Sequence, residues 1–228
     1  MRDLDAPLRH PRAERTRRAL ICAGRRLFSE RPVDAVTVDD IVLAAEVGKG
    51  SFYNHFADRE TLAREVVDEI RARIERCVEY ANAEIEDPAR RMARAVCTYF
   101  RFVLDEPERA GVIVRVCHGA PVSSSTSAPL NRGLVDDIAA GLQSGRFAVP
   151  TIEAGVLFVH GVTQVTFARL VENPAPELAV SLAQQISALL LSGLGLPGPE
   201  SNLLAAQASD EIVRRGAFAD RFEDVPEE

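Results

Sequence analysis

Residues 37–62 constrain the fold of this 228-residue chain more than any other stretch. Thr37 precedes Asp39 and Asp40, and a hydroxyl cap followed by carboxylates in the first turn is typical of a helix N-terminus. Apolar residues then recur at helical spacing: Val38, Ile41, Val42 and Ala45. The segment 46–48 contains a glycine and suits a sharp reversal of the chain. The pattern therefore predicts a short helix that ends in a tight turn.

A second short helix is predicted over residues 49–56. Phe52 and Phe56 are four residues apart, so they share one face and point inward. The polar residues are left on the outer face: Lys49, Ser51, Tyr53, Asn54 and His55. Asp58 then caps a third helix that has Glu60 in its first turn. This layout is that of a helix-turn-helix, although a helical hairpin with merely solvated polar residues fits the same pattern.

The outer face of the second helix carries groups that a DNA-reading helix uses. Its N-terminal part offers a cation, a small residue for close approach and a hydroxyl: Lys49, Gly50 and Ser51. Tyr53 and His55 can donate hydrogen bonds to phosphate oxygens. Asn54 can donate to a phosphate or to a base edge. The face therefore has the chemistry for both positioning and reading a DNA duplex.

The run 47–56, which includes Tyr53 and His55, and the following run 58–62 resemble the DNA-binding segment of the TetR family of bacterial repressors. The close resemblance covers about residues 14–74, and beyond it only the helical layout and the length are similar. The resemblance implies an all-α protein with an N-terminal three-helix helix-turn-helix DNA-binding domain. It also implies a larger C-terminal helical domain for inducer binding and dimerisation. The implied function is a ligand-responsive homodimeric repressor on a palindromic, double-stranded operator.

The resemblance also implies which positions contact DNA: Thr37, Lys49, Gly50, Ser51, Tyr53, Asn54, His55 and Arg59. Residues 49–51 would lie nearest the base edges. Thr37, Tyr53 and His55 would hold phosphates. Arg59 stands where the family usually has a phosphate-binding lysine.

Two residues of the turn depart from the family pattern. Glu46 replaces the usual turn glycine, and Gly48 stands where a serine or another residue is commoner. A residue other than glycine in the left-handed conformation costs roughly 1 kcal/mol. We therefore expect a slightly different turn in which Gly48 absorbs the bend.

The net charge of −7 is unusual for a DNA-binding protein, but its distribution is informative. Residues 1–31 hold nine arginines and four acidic residues, a net charge of +5, so residues 32–228 carry −12. A basic end on an acidic body favours a small DNA-binding head. Lys49 is the one lysine among the 27 basic residues, which draws attention to its place in the reading helix.

The division into domains follows from these features. Residues 1–11 are expected to be a flexible basic arm and residues 12–58 the DNA-binding domain. Residues 59–196 would bind ligand and form the dimer, and residues 197–228 would be a C-terminal extension. A long helix over residues 59–85 would begin in the head and link it to the body.

Two consecutive apolar helices, 150–172 and 177–191, need a partner surface. The family resemblance implies that they pair with their copies in a four-helix dimer interface, and burial in the monomer's own core is the alternative. An apolar small-molecule ligand is expected in a cavity among the helices. Its candidate contacts are Phe100, Arg101, Leu104, Val116, His118, Phe158 and His160.

No motif of an enzyme, metal site or cofactor site occurs in the chain, so we expect neither catalysis nor a cofactor. The four cysteines are far apart and read as reduced small hydrophobes: Cys22, Cys77, Cys97 and Cys117. No apolar run reaches the ~20 residues of a membrane span, and residues 1–12 lack a signal core, so a cytoplasmic protein is expected. An acidic helical adaptor, or a thiol or metal sensor without a small-molecule inducer, remains the alternative.

Overall fold

The computed structural model describes residues 11–117 and 132–216, and within those ranges every regular element is helical. The all-α prediction is confirmed. Residues 1–10 of the predicted arm, the candidate ligand residue His118 and residues 217–228 lie outside the described part of the chain.

The helices are α1 (Pro11–Glu30), α2 (Val38–Ala44), α3 (Lys49–Tyr53), α4 (Arg59–Ala81), α5 (Pro88–Asp105), α6 (Pro107–Cys117), α7 (Arg132–Gln143), α8 (Ile152–Glu172), α9 (Pro176–Gly193) and α10 (Gly198–Ala208). A 3-10 turn covers Val33–Ala35, and a π-helical segment, Ser209–Arg214, follows α10. The chain forms two compact units, residues 1–69 (unit 1) and residues 70–228 (unit 2). The division falls inside α4, beyond the boundary at residue 58 that the sequence suggested.

Unit 1 is built around aromatic and aliphatic side chains that α1, α2, α3 and α4 turn inward. Its fully buried large residues are Leu20, Phe28, Ile41, Phe52, Phe56 and Leu62. The start of α2 has the predicted cap: the Thr37 hydroxyl accepts from the Asp40 N–H at 3.1 Å, and the Asp40 carboxylate accepts from the Thr37 N–H at 3.0 Å. Asp58 likewise accepts from the Thr61 N–H at 2.7 Å at the start of α4.

The turn between α2 and α3 differs from the expectation. Glu46 itself adopts the left-handed conformation, with φ 55°. Gly48 has φ −76° and ψ 149°, an extended conformation that any residue can adopt, and it precedes α3 as the N-cap residue. The expectation that Gly48 absorbs the bend was wrong. The chain keeps the left-handed turn and tolerates the strain of a glutamate there.

Replacing Glu46 by glycine should therefore stabilise the protein by about 1 kcal/mol, because glycine adopts a positive φ without strain. Gly48→Ala is the matched control, since a Cβ at Gly48 meets nothing within 4 Å. It should change the free energy of unfolding by less than roughly 0.5 kcal/mol, because the reduced freedom of the unfolded chain and the poorer fit of alanine at a helix N-cap oppose each other. Urea denaturation measures both variants, and a Glu46→Gly protein no more stable than the parent protein would contradict this description of the turn.

In unit 2, α4 ends at Ala81, four residues before the predicted end at residue 85. Arg91 of α5 explains the early end, because its Nη1 donates to the carbonyls of Asn82 and Ile85, each at 3.2 Å. The buried Asn82 side chain in turn donates to the Arg91 carbonyl at 3.2 Å. The turn after α4 is thus held by hydrogen bonds to α5 as well as by its own backbone bonds, such as that from the Asn82 N–H to the Val78 carbonyl at 3.0 Å.

Residues 198–216, most of the predicted C-terminal extension, pack against the other helices of unit 2. They bury apolar side chains: Ala205, Ala208, Ile212 and Val213. The Ser209 hydroxyl donates to the Val180 carbonyl of α9 at 2.8 Å. Arg94 of α5 pairs with Glu211 at 2.6 Å. The π-helical segment is therefore anchored on both α5 and α9.

Among the described residues α8 is, by length and composition alone, the one helix that could cross a membrane. The expectation that no run reaches such a length was wrong in this respect. Core helices pass the same test, and α8 buries Val156, Val159, Phe167 and Leu170 within unit 2. We assign its apolar character to that burial and to the exposed face described below.

Candidate nucleic-acid interface and ligand cavity

The polar residues of α3 lie on the surface of unit 1, because two phenylalanines fix the orientation of the helix. Phe52 and Phe56 are buried, with ring centroids 5.8 Å apart. Lys49, Gly50, Tyr53 and Asn54 are exposed, whereas Ser51 and His55 are half-buried. The regular helix ends at Tyr53, earlier than the predicted residue 56, and Asn54 and His55 continue it as a turn.

Lys49 has a partner that the sequence did not reveal. Its Nζ lies 2.8 Å from a carboxylate oxygen of Asp39 on α2, and the hydrogen bond and charge of Asp39 raise the pKa of Lys49. Both side chains are largely exposed. Asp39 therefore holds the ammonium group at the surface between α2 and α3, where a phosphate or base edge would compete with the carboxylate.

Thr37 and Arg59 have structural roles in unit 1. The Thr37 hydroxyl belongs to the cap of α2, and its hydrogen bonds lower the pKa of Asp40. The Arg59 guanidinium donates to the carbonyls of Asp34 and Val36, at 3.3 and 3.2 Å, and its Nε pairs with Glu60 at 2.9 Å. The predicted phosphate contacts of both residues stay predictions. To bind a phosphate, the Arg59 guanidinium would have to share its N–H donors between the phosphate and these protein partners.

Unit 2 contains a cavity that encloses about 550 Å³, part of it continuous with solvent. Its walls come from α4, α5, α7 and α8. The apolar part is lined by Val78, Met92, Val96, Leu134 and Val159. The polar part is lined by Glu75, Tyr99, Asp137, His160, Thr163 and Gln164. Apolar side chains together with a few polar groups are the kind of lining found in small-molecule sites.

Of the candidate ligand contacts named from the sequence, His160 lines this cavity. Phe100 is fully buried, and Arg101 pairs with Asp105 at 2.6 Å and donates to the Val213 carbonyl at 2.9 Å. Phe158 is 38% exposed and packs against Gly193. Leu104 and Val116 are half-buried and do not line the cavity.

Glu75 and Tyr99 are cavity residues that the sequence analysis missed. The Tyr99 hydroxyl donates to Glu75 at 2.8 Å. Burial, together with the nearby charges of Glu79 and Asp137, raises the pKa of Glu75 to about 7 despite that hydrogen bond. From sequence, Glu75 was one of several acidic residues on an arginine- and glutamate-rich helix face, so no local signal marked it as buried.

Two further polar groups lie in the cavity wall. Burial lowers the pKa of His160, and the charge of Arg71 adds to that effect, so the imidazole is neutral at neutral pH. The Thr163 hydroxyl oxygen is buried and has no hydrogen-bond partner within the described structure. A bound molecule that donates or accepts at this oxygen would satisfy it.

The two buried thiols, Cys77 and Cys97, do not resemble those of a redox sensor. Burial raises the pKa of Cys77 to about 11 and that of Cys97 to about 12, so both stay protonated at neutral pH. In the part of the chain that the structure describes, no group of three His, Cys, Asp or Glu side chains is placed to hold a metal ion.

The region from α1 to α4 matches a known protein family. Residues 20–66 match the family model described as bacterial regulatory proteins, tetR family. This segment belongs to the TetR family. The chain is 32% identical over 98 residues to the HTH-type transcriptional repressor DhaR of Mycobacterium sp. strain GP1, covering 43% of this chain and 48% of DhaR. An uncharacterised HTH-type transcriptional regulator of Haemophilus influenzae is 26% identical over 136 residues, covering 59% of this chain and 66% of that protein. The chain thus spans about half to two thirds of these relatives.

Solved TetR-like structures match over most of the chain. RolR in complex with the ligand resorcinol has a TM-score of 0.61 at 23% identity, covering 86% of this chain and 95% of RolR. The fatty acid degradation regulator FadR from Bacillus halodurans has a TM-score of 0.64 at 18% identity, covering 79% and 99%. At these identities the matches establish a shared fold.

Proposed function

We propose that this TetR-family chain is a ligand-responsive homodimeric repressor that acts in the cytoplasm on a palindromic operator. The observation that carries the proposal is the exposed set of polar residues on α3, held outward by the buried Phe52 and Phe56. The curated relative DhaR, which is named a transcriptional repressor, supports the same function. Two reading helices in a dimer would enter successive major grooves roughly 34 Å apart.

Binding to a random-sequence duplex library, followed by selection and sequencing, tests the proposal. An enriched inverted repeat, bound with an affinity that falls steeply with salt, is the expected result because basic side chains displace condensed counterions. Failure to enrich any sequence with the ligand-free protein would instead favour the acidic adaptor. The enriched repeat would then serve as the operator for the variants below.

Tyr53→Ala should weaken operator binding by the dimer roughly a hundredfold, the loss of about one hydrogen bond to a charged phosphate in each subunit. Because tyrosine is uncharged, the slope of affinity against salt should not change. Lys49→Ala should lower that slope by roughly two, one for each subunit. Fluorescence anisotropy at several salt concentrations measures both effects.

Tyr80→Ala, which removes a 46% exposed tyrosine of unit 2, is the control and should bind the operator normally. Unchanged operator binding by Tyr53→Ala would argue against α3 as the reading helix.

The dimer interface is proposed to be the apolar face that α8 and α9 leave uncovered in the single chain. Leu157, Val165 and Leu189 are 47, 73 and 64% exposed. Along α8 the exposed or half-buried positions 154, 158, 161, 165 and 168 form one stripe of small and apolar residues. A second copy of the chain would cover this face in a symmetric four-helix contact.

Val165→Glu should raise the dimer dissociation constant at least tenfold, because a charge would be buried in each half of the symmetric contact. The exposure of Val165 in the monomer means that folding should be preserved. Analytical ultracentrifugation across a concentration series measures the effect. Leu203→Glu on α10, at a residue 58% exposed outside the stripe, should leave dimerisation unchanged. A Val165→Glu protein that stays dimeric at all concentrations would contradict the proposed interface.

The cavity of unit 2 is proposed as the inducer site. Helix α4 contributes Glu75 and Val78 to the cavity and also supplies buried residues to unit 1, such as Leu62. A ligand that favours one position of α4 would therefore change operator affinity. By thermodynamic linkage, operator DNA would weaken ligand binding by the same factor.

A further inference from the structure

The cavity is lined by acidic side chains and, among its described lining residues, by no arginine or lysine. The acidic residues are Glu75 and Asp137. Asp137 is balanced by Arg91, whose Nε lies 2.5 Å from its carboxylate. Glu75 instead accepts a hydrogen bond from the neutral Tyr99 hydroxyl. The carboxylate of Glu75 therefore has no cationic partner among the lining residues that the structure describes.

The groups that face Glu75 come from each helix around the cavity. Glu79 and Arg71 lie one turn away on α4, Tyr99 on α5, Asp137 on α7 and His160 on α8. Glu79 and Asp137 both disfavour the ionised form of Glu75, and burial disfavours it more. Arg71 acts on Tyr99 and on His160. A positive group beside Glu75 would offset the burial and the like charges together, whereas a negative ligand would add to them.

We infer that the cavity binds a lipophilic monocation, with an ammonium group beside Glu75 and an apolar body against Val78, Met92 and Val96. This inference rests on the proposed function, because it assigns the ligand class of the proposed inducer site. The apolar wall supplies most of the contact area with the ligand. Glu75 favours a ligand with a positive charge over one with a negative charge. An anionic ligand would add to the charges of Glu75 and Asp137, so it should bind more weakly than a cation of the same size.

The binding of such a cation should depend on pH through Glu75. A cation pairs with the ionised carboxylate, and in the free protein the pKa of Glu75 is about 7. Affinity should therefore fall roughly tenfold between pH 8.5 and pH 6, as the carboxyl group takes up a proton. His160 stays neutral over most of this range because its pKa is lowered, and a quaternary ammonium probe does not titrate at all.

The test compares phenyltrimethylammonium with tert-butylbenzene, its uncharged isostere, by ligand-observed NMR titration of the full chain without DNA. At pH 8.5 the cation should bind at least tenfold more tightly than the isostere. In Glu75→Gln the cation should lose at least tenfold in affinity, and the isostere should bind as before. Glu84→Gln removes an exposed carboxylate of unit 2 and should change neither affinity.

Equal affinity for the two probes, no detectable binding of the cation, or an undiminished cation affinity in Glu75→Gln would each overturn the inference. Thermal melting establishes that Glu75→Gln is folded before the titration. The titration contains no DNA, so its failure is distinct from a failure of the operator selection. An enriched operator with no preference for the cation would leave a repressor with a different ligand class.

Discussion

Glu75→Gln should make the protein more stable at pH 8, by about 3 kcal/mol, and should have little effect near pH 4.5. The pKa of Glu75 is raised from 4.5 to about 7 in the folded chain. Between these two pH values the folded protein keeps a proton that the unfolded chain has lost, so stability falls as pH rises through this window. The rise in the pKa of Glu75 from 4.5 to about 7 corresponds to roughly 3 kcal/mol of stability. Glutamine is neutral at every pH and removes this loss.

Urea denaturation at pH 4.5, 6 and 8, at a fixed protein concentration, measures the effect of Glu75→Gln. The concentration must be held constant because dimerisation contributes to the apparent stability. Glu84→Gln, with the same change of charge at an exposed position, should show a difference within roughly 0.5 kcal/mol at each pH. A stability difference between Glu75→Gln and the parent protein that is the same at all three pH values would contradict a raised pKa.

Arg94→Met should destabilise the protein by roughly 3 kcal/mol, the usual cost of breaking a buried pair on one side. The Arg94 side chain is 5% exposed. Its Nε and Nη2 donate to the Ala81 carbonyl at 3.1 and 2.8 Å, and its Nη1 pairs with Glu211 at 2.6 Å. The substitution would remove the donors at the end of α4 and the anchor of the π-helical segment together.

The matched control for Arg94→Met is Arg90→Met, because Arg90 is exposed on the same helix. It should change the free energy of unfolding by less than roughly 0.5 kcal/mol. Glu211→Gln should fall between the two variants, since its carboxylate is 40% exposed and can be solvated when the pair is lost. An Arg94→Met protein as stable as Arg90→Met would show that the buried guanidinium does not hold the two segments.

The features that local pattern determines were predictable from the sequence. Thr37 and Asp58 cap helices where expected, and Phe52 and Phe56 are buried. Each of these depends on residues within about one turn, so spacing alone reveals them. The orientation of the α3 surface followed from the same spacing.

The features that depend on residues distant in sequence were not predictable. The early end of α4 depends on Arg91, and the docking of residues 198–216 depends on Arg94 and on α9. The sequence pattern indicated that Glu75 is solvated. In the structure it lies in the cavity wall together with residues of α5, α7 and α8. The error at Glu46 had another cause, since the surrounding fold imposed a backbone conformation that the residue itself disfavours.

The surface position of Lys49 gives the protein a built-in attachment point for a probe. It is the one lysine of the chain and is exposed on α3. An amine-reactive dye at high pH would therefore label this side chain and the N-terminal amine, whereas near neutral pH the N-terminal amine would react first, since its pKa is lower. A fluorophore on Lys49 would report contact with a duplex from the reading surface itself, without an engineered cysteine. Acylation would also neutralise the charge that faces Asp39, so labelled and unlabelled molecules would compete unequally for the same DNA.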